Sequence, residues 1–170
     1  MTAAERATLR QLYNFRCGYC GVSETDVGAV LTTDHFQPTS RGGADALANR
    51  VYCCFACNTA KGDYWQPDSL RRILHPLHDN LSEHIMEQED GTLLGLTSTG
   101  HFHIGQLRLN RPALVAYRLE KGRRERESIH HAEVLQRLAE AQRELCFLRQ
   151  RLERTFRTPL EPLDSILVIF

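Results

Sequence analysis

Apolar and polar positions follow several different rhythms along the chain, and each rhythm predicts an element. Thr2 and Glu5 make a T-x-x-E capping box, which opens a helix at residue 3. Leu9, Leu12, Tyr13 and Phe15 would pack that helix onto the segment that follows. AVLTTDHF, residues 29–36, concentrates Val, Leu, Thr and Phe and reads as a strand. QPTSRGGADALAN is polar, holds Pro38, Gly42 and Gly43, and reads as a loop. RVYCC reads as a second strand, and FACNTAKGDYW starts a short helix that ends near Gly62.

Further along, DSLRRILHPL is expected to make one or two helical turns after Pro67. SEHIMEQEDGTLLGLTSTG reads as a hairpin around Asp90 and Gly91. TGHFHIG would put His101 and His103 on one side of a strand, either sharing a metal or serving packing and surface roles. Residues 110–156 read as helical, with a break or bend near Gly122. Within them Val134, Leu138, Ala141, Leu145, Leu148 and Leu152 recur at spacings of 4, 3, 4, 3 and 4, a heptad seam. One reading of the seam is a helix packed on its own domain or paired with residues 112–126. The other is a homodimeric coiled coil or a protein partner docked through this helix. The terminal SILVIF is an edge strand or a tail docked on the core.

Composition narrows the class. With 42% apolar and 25% charged residues, the 170-residue chain is ordinary for a soluble globular protein. There is no apolar run of about 18 residues, so no spanning helix and no membrane partner is expected. MTAAERATLRQLYNF carries charges where a signal peptide needs an apolar stretch, and a cytoplasmic location is expected. Lys plus Arg equals Asp plus Glu at 21 each, which argues against tight nonspecific binding of nucleic acid. The one basic excess, RLEKGRRER, holds Arg118, Lys121, Arg123, Arg124 and Arg126; it either follows phosphates or ends a solvated helix.

Six cysteines in a reducing compartment point to metal before disulfides. Cys17 and Cys20 form one C-x-x-C, Cys54 and Cys57 another. Two such knuckles supply the four-thiolate tetrahedron that zinc favours, with a redox pair or buried thiols as the alternative. Gly18 and Gly21 would let the first knuckle bend. Such a closed zinc site staples the fold and leaves no open position for catalysis. Cys53 and Cys146 read as core residues.

The ordered set of Cys-x-x-Cys, DHFQPTSRGGADALAN and VYCCFACNTAKGD resembles the HNH endonucleases of the ββα-metal, treble-clef type, over residues 15–63. The third signature position is His or Asn in such proteins and Asn58 here. The resemblance implies an α+β fold with a small ββα-metal core stapled by zinc. It also implies hydrolysis of DNA, most of all double-stranded DNA, leaving 3′-hydroxyl and 5′-phosphate ends. Asn49 matches the middle asparagine, whose implied role is to bond across the loop and hold His35; the alternative is a plain turn residue.

Phosphodiester hydrolysis needs a base for the attacking water and a cation for the developing charge. A histidine side chain is the type that titrates near neutrality, which makes His35 the candidate base. Asp34 offers a carboxylate and Asn58 an amide oxygen to magnesium or another divalent cation. Consecutive strand residues point to opposite faces, so the strand is expected to end or distort at Asp34 and His35. Lys61 and Arg41 are candidate phosphate contacts or plain surface charges; Lys61 lies three residues after Asn58 on one helix face. The expected organisation is a nuclease module at 1–66, a β-hairpin extension at 67–110, a helical region at 111–157 and an apolar tail at 158–170. Two other functions compete: a zinc-stapled nucleic-acid-binding module without catalysis, and a nuclease subunit of a larger defence or mobile-element assembly.

Overall fold

The computed structural model describes residues 1–67 and 70–156. The chain opens with α1 (Ala3–Leu12), whose capping box is closed from both sides. The Glu5 N–H donates to Thr2 Oγ1 at 3.2 Å, and the Thr2 N–H donates to the Glu5 carboxylate at 2.6 Å. Leu9 and Tyr13 are buried, whereas Leu12 and Phe15 face solvent at 53% and 45% exposure, so only half of the expected packing set forms. Arg10 grips Glu24 through two hydrogen bonds of 2.8 and 2.7 Å, tying α1 to the short α2 (Glu24–Val27).

Strand β1 (Thr32–His35) pairs antiparallel with β2 (Arg50–Cys53), with Asp34 opposite Val51 and His35 opposite Arg50. The strand is shorter than its apolar run because the Leu31 N–H donates to the Tyr52 hydroxyl at 2.8 Å and does not join the ladder. Helix α3 (Phe55–Lys61) follows at once, and the Gly62 N–H closes it on the Asn58 carbonyl at 2.9 Å.

Residues 70–80 form turns where one or two helical turns were expected. The Asp79 carboxylate organises them by accepting from Arg72 at 2.7 and 2.9 Å and from the His75 N–H at 2.7 Å. Next comes the antiparallel hairpin of β3 (Ile85–Glu87) and β4 (Leu93–Gly95). TGHFHIG belongs not to a strand but to helix α4 (Ser98–Gln106), capped by Thr97. Thr99, Gly100, His103, Ile104 and Leu107 are buried, which is helical periodicity.

Residues 1–121 form one compact unit and a second begins at Gly122. The core of the first unit joins Leu9, Val51, Tyr52, Leu107, Leu109 and Leu114 to the cysteines of the two knuckles. Helix α5 (Pro112–Phe156) runs through Gly122 without the expected break; a glycine inside a helix costs about 1 kcal/mol, too little to end one. The seam residues Val134, Leu138, Leu145, Leu148 and Leu152 are exposed. Cys146 is also exposed, not core, while Cys53 is fully buried. Arg118 is buried and donates to the Gly91 and Leu109 carbonyls at 2.5 and 2.8 Å, so it is spent inside the fold and follows no phosphate. Among the described residues no helix is long and apolar enough to cross a membrane. SILVIF, and with it the 158–170 segment, lies outside the described residues.

Candidate active site and metal centre

The first knuckle lies in the turn after α1 and the second at the start of α3. Gly21 takes φ +76 to turn the first, whereas Gly18 makes room for the Tyr13 ring, which a Cβ would meet at 2.5 Å. The sulfurs of Cys17, Cys20, Cys54 and Cys57 all lie within 4.8 Å of one another, and those of Cys20 and Cys54 are 3.7 Å apart. Zinc–sulfur bonds of about 2.3 Å in a tetrahedron put sulfurs about 3.8 Å apart, so the cluster is compatible with zinc. Four converging sulfurs also exceed what a redox pair needs. The Arg111 guanidinium donates to Cys54 and Cys57 at 3.7–3.8 Å, a positive charge against the sulfurs that no spacing rule announces. Hydrogen bonding to Cys20 holds the Cys17 thiol below the ordinary range, and bonding to Cys17 does the same for Cys54. Contact with Cys17 pushes the Cys20 and Cys57 thiols up.

Strand β1 ends at His35, as expected, and up to that end Asp34 and His35 keep regular ladder positions without distortion. Their side chains therefore leave opposite faces of β1. Asp34 is buried at 7% exposure, where its carboxylate accepts from the Tyr19 hydroxyl at 2.8 Å. Lys61, at 2% exposure, lays its ammonium 3.2 and 3.0 Å from the two oxygens of Asp34 and donates to the His35 carbonyl at 2.9 Å. Lys61 is thus not a surface charge; it clamps α3 onto β1. Burial raises the Asp34 carboxyl above its ordinary range, while Lys61 and Tyr19 pull it back. Asn58 sits one turn before Lys61 on α3 and is partly buried.

On the other face, the side chain of His35 is 27% exposed and its Nε2 lies 3.0 Å from the Asp45 carboxylate. Arg50, its cross-strand neighbour, forms an ion pair with the same carboxylate. Hydrogen bonding from His35 and then Arg50 holds the Asp45 carboxyl below its ordinary range. An ionised carboxylate only accepts, so this contact calls for a proton on Nε2, and in a neutral ring that leaves the lone pair on Nδ1. Asp45 and Arg50 have no signature spacing; the only sequence signal is a carboxylate in the loop leading back to β2.

That loop is pinned by Asn49. Its side-chain oxygen accepts from the Gln37 N–H at 2.9 Å, and its amide donates to the Gln37 and Ala44 carbonyls at 2.9 and 2.8 Å. A Cβ at Gly43 would stand 1.9 Å from the Gln37 carbonyl oxygen, so the turn needs glycine there. Arg41 is exposed at the loop tip, where its carbonyl accepts from the Gln37 side chain at 2.8 Å.

His101 and His103 do not converge, since two residues on a helix are about 200° apart. His103 is fully buried and its Nδ1 accepts from the Leu74 N–H at 2.9 Å. His75 packs against Phe36 at 4.4 Å and stacks on His78 at 4.1 Å. Burial lowers both His75 and His103 to about 4.

The HNH endonuclease family model matches residues 17–64. No curated protein and no solved structure matches the chain.

Proposed function

We propose, on the premise of the HNH endonuclease family match over residues 17–64, that the chain is a metal-dependent endonuclease hydrolysing DNA phosphodiester bonds. The observation that carries this reading is that the matched segment contains Asp34, His35, Asn49 and Asn58 in one strand–loop–strand–helix unit.

His35 is the general base: its free Nδ1 takes the proton of the attacking water. Asp45 acts through that ring, holding it in the Nε2–H form, and Arg50 holds Asp45. Asn49 fixes the loop that carries Asp45 over the strand end. Arg41, exposed on the same loop, is the phosphate contact that the fold leaves open.

Asp34 and Asn58 are the oxygen donors for a divalent ion, magnesium or manganese. Lys61 already holds both oxygens of Asp34 on the face opposite His35, so ion entry requires the ammonium to move aside for the ion and the His35 ring to reach one phosphate. When bound, a divalent ion offsets negative charge on the departing 3′ oxygen. The four cysteines, fully committed to one another, hold the two halves of the domain and take no part in the reaction.

Supercoiled plasmid incubated with magnesium or manganese tests the proposal. Nicking or linearisation is expected from the wild type, and His35→Ala should lower the rate by about 10²–10⁴-fold. Equal cutting by both proteins removes His35 from the chemistry. DNA binding without cutting in both makes the chain a binding module.

A further inference from the structure

The second unit carries an apolar face that none of its described residues covers. Val134, Leu138, Leu145, Leu148 and Leu152 are 38%, 54%, 66%, 51% and 58% exposed, and all lie on one seam of α5. The period is 3.5 residues, which keeps a seam facing a partner helix and would drift around a helix packed on a globular surface. A lone helix in water is marginal without a packed face.

Charge along the flanks of the seam selects the occupant. With Leu138, Leu145 and Leu152 at the a positions, Val134, Ala141 and Leu148 fall at d. The g positions are then Arg137, Glu144 and Arg151, and the e positions Leu135, Gln142, Arg149 and Phe156. Parallel helices bring each g beside the e five residues later on the partner. Glu144 then meets Arg149 of the other copy twice, once on each side of the two-fold, and no like charges meet. Antiparallel helices with the seam fully overlapped bring g beside g. Glu144 then faces its own copy and Arg137 faces Arg151, so every charged g pair is repulsive. Leu135 and Phe156 at e, 52% and 84% exposed, widen the apolar face of the parallel arrangement.

We propose that residues 134–152 of α5 pair with the same residues of a second copy of this chain as a parallel two-stranded coiled coil. Ala141 thins the middle layer, so the association is weaker than that of an all-leucine seam. The pairing does not depend on the catalytic reading. If both hold, one particle carries two active sites, one for each strand of a duplex.

Light scattering on the full chain, zinc retained, reads the mass directly. The expected value is twice 19.5 kDa, falling towards 19.5 kDa on dilution. L145E/L148E should be monomeric at the same concentration while keeping its zinc and near-ultraviolet signal. Glu144→Lys and Arg149→Glu should each weaken the dimer about tenfold, and the two together should restore it. The restoration is specific to the parallel form, because in an antiparallel pair the charge introduced by Glu144→Lys would still face its own copy. A monomer at all concentrations, a trimer or tetramer, a dimer that survives L145E/L148E, or a double swap that fails to recover overturns the proposal.

Discussion

Asp34 and His35 are neighbours in the chain and occupy opposite environments. One is sealed against Tyr19 and Lys61, the other is open to solvent beside Asp45. The regular alternation of a strand is enough to separate them. The sequence names both residues. It does not name Asp45, ten positions on in a polar loop, because its place beside the ring comes from the loop folding back under Asn49. Nor does it show that Lys61 is buried; a lysine on a short helix reads equally well as surface charge. Removing one member of such a buried ion pair costs about 3–5 kcal/mol, since the other charge is left in a poor solvent. Lys61→Met should therefore lower the melting temperature sharply, and manganese should recover part of the loss if Asp34 is a metal ligand. A variant whose melting temperature ignores manganese would remove Asp34 from the metal site.

At the scale of elements, local signals held wherever the chain satisfied its own backbone. The capping box starts α1, Gly62 ends α3, and the antiparallel hairpin forms between Ile85 and Gly95. Reading failed where partners distant in sequence decided the matter. TGHFHIG alternates polar and apolar residues like a strand, but Thr97 caps it and the buried set follows helical spacing, with His103 accepting from the Leu74 backbone. Burial keeps His103 neutral, with a pKa of about 4 against about 6.5 in the unfolded chain. A depressed histidine means that the unfolded state binds the proton first. Stability is complete above about pH 6.5 and falls as pH drops towards 4, by about 3 kcal/mol from this group alone. Urea unfolding at several pH values should show that decline, and His103→Asn, which keeps an acceptor for the Leu74 N–H, should make it shallower while leaving the share that comes from His75. An unchanged slope in the variant would assign the decline to other groups.

At the scale of the molecule, residues 1–121 build their core around the sulfur cluster, and the helix from Gly122 to Phe156 has no core of its own. With two short sheets and few long helices, the first unit depends on its staple. A strong chelator at neutral pH should abolish its near-ultraviolet signal, because zinc binding energy in such domains is folding energy. Helical signal from the second unit should survive in part. A first unit that keeps its tertiary signal without metal would show the cysteines to be ordinary core.

The double C-x-x-C, the Asp-His pair and the heptad spacing are properties of order along the chain, and the sequence by itself determined them. Ligand spacing and helical period are short-range geometry, set within a few residues. What surrounds each group was decided only by the tertiary structure. Lys61 against Asp34, Asp45 against His35, Arg111 against the sulfurs and the uncovered seam of α5 all depend on which distant segments meet. Burial and charge pairing are long-range quantities, and no local pattern encodes them.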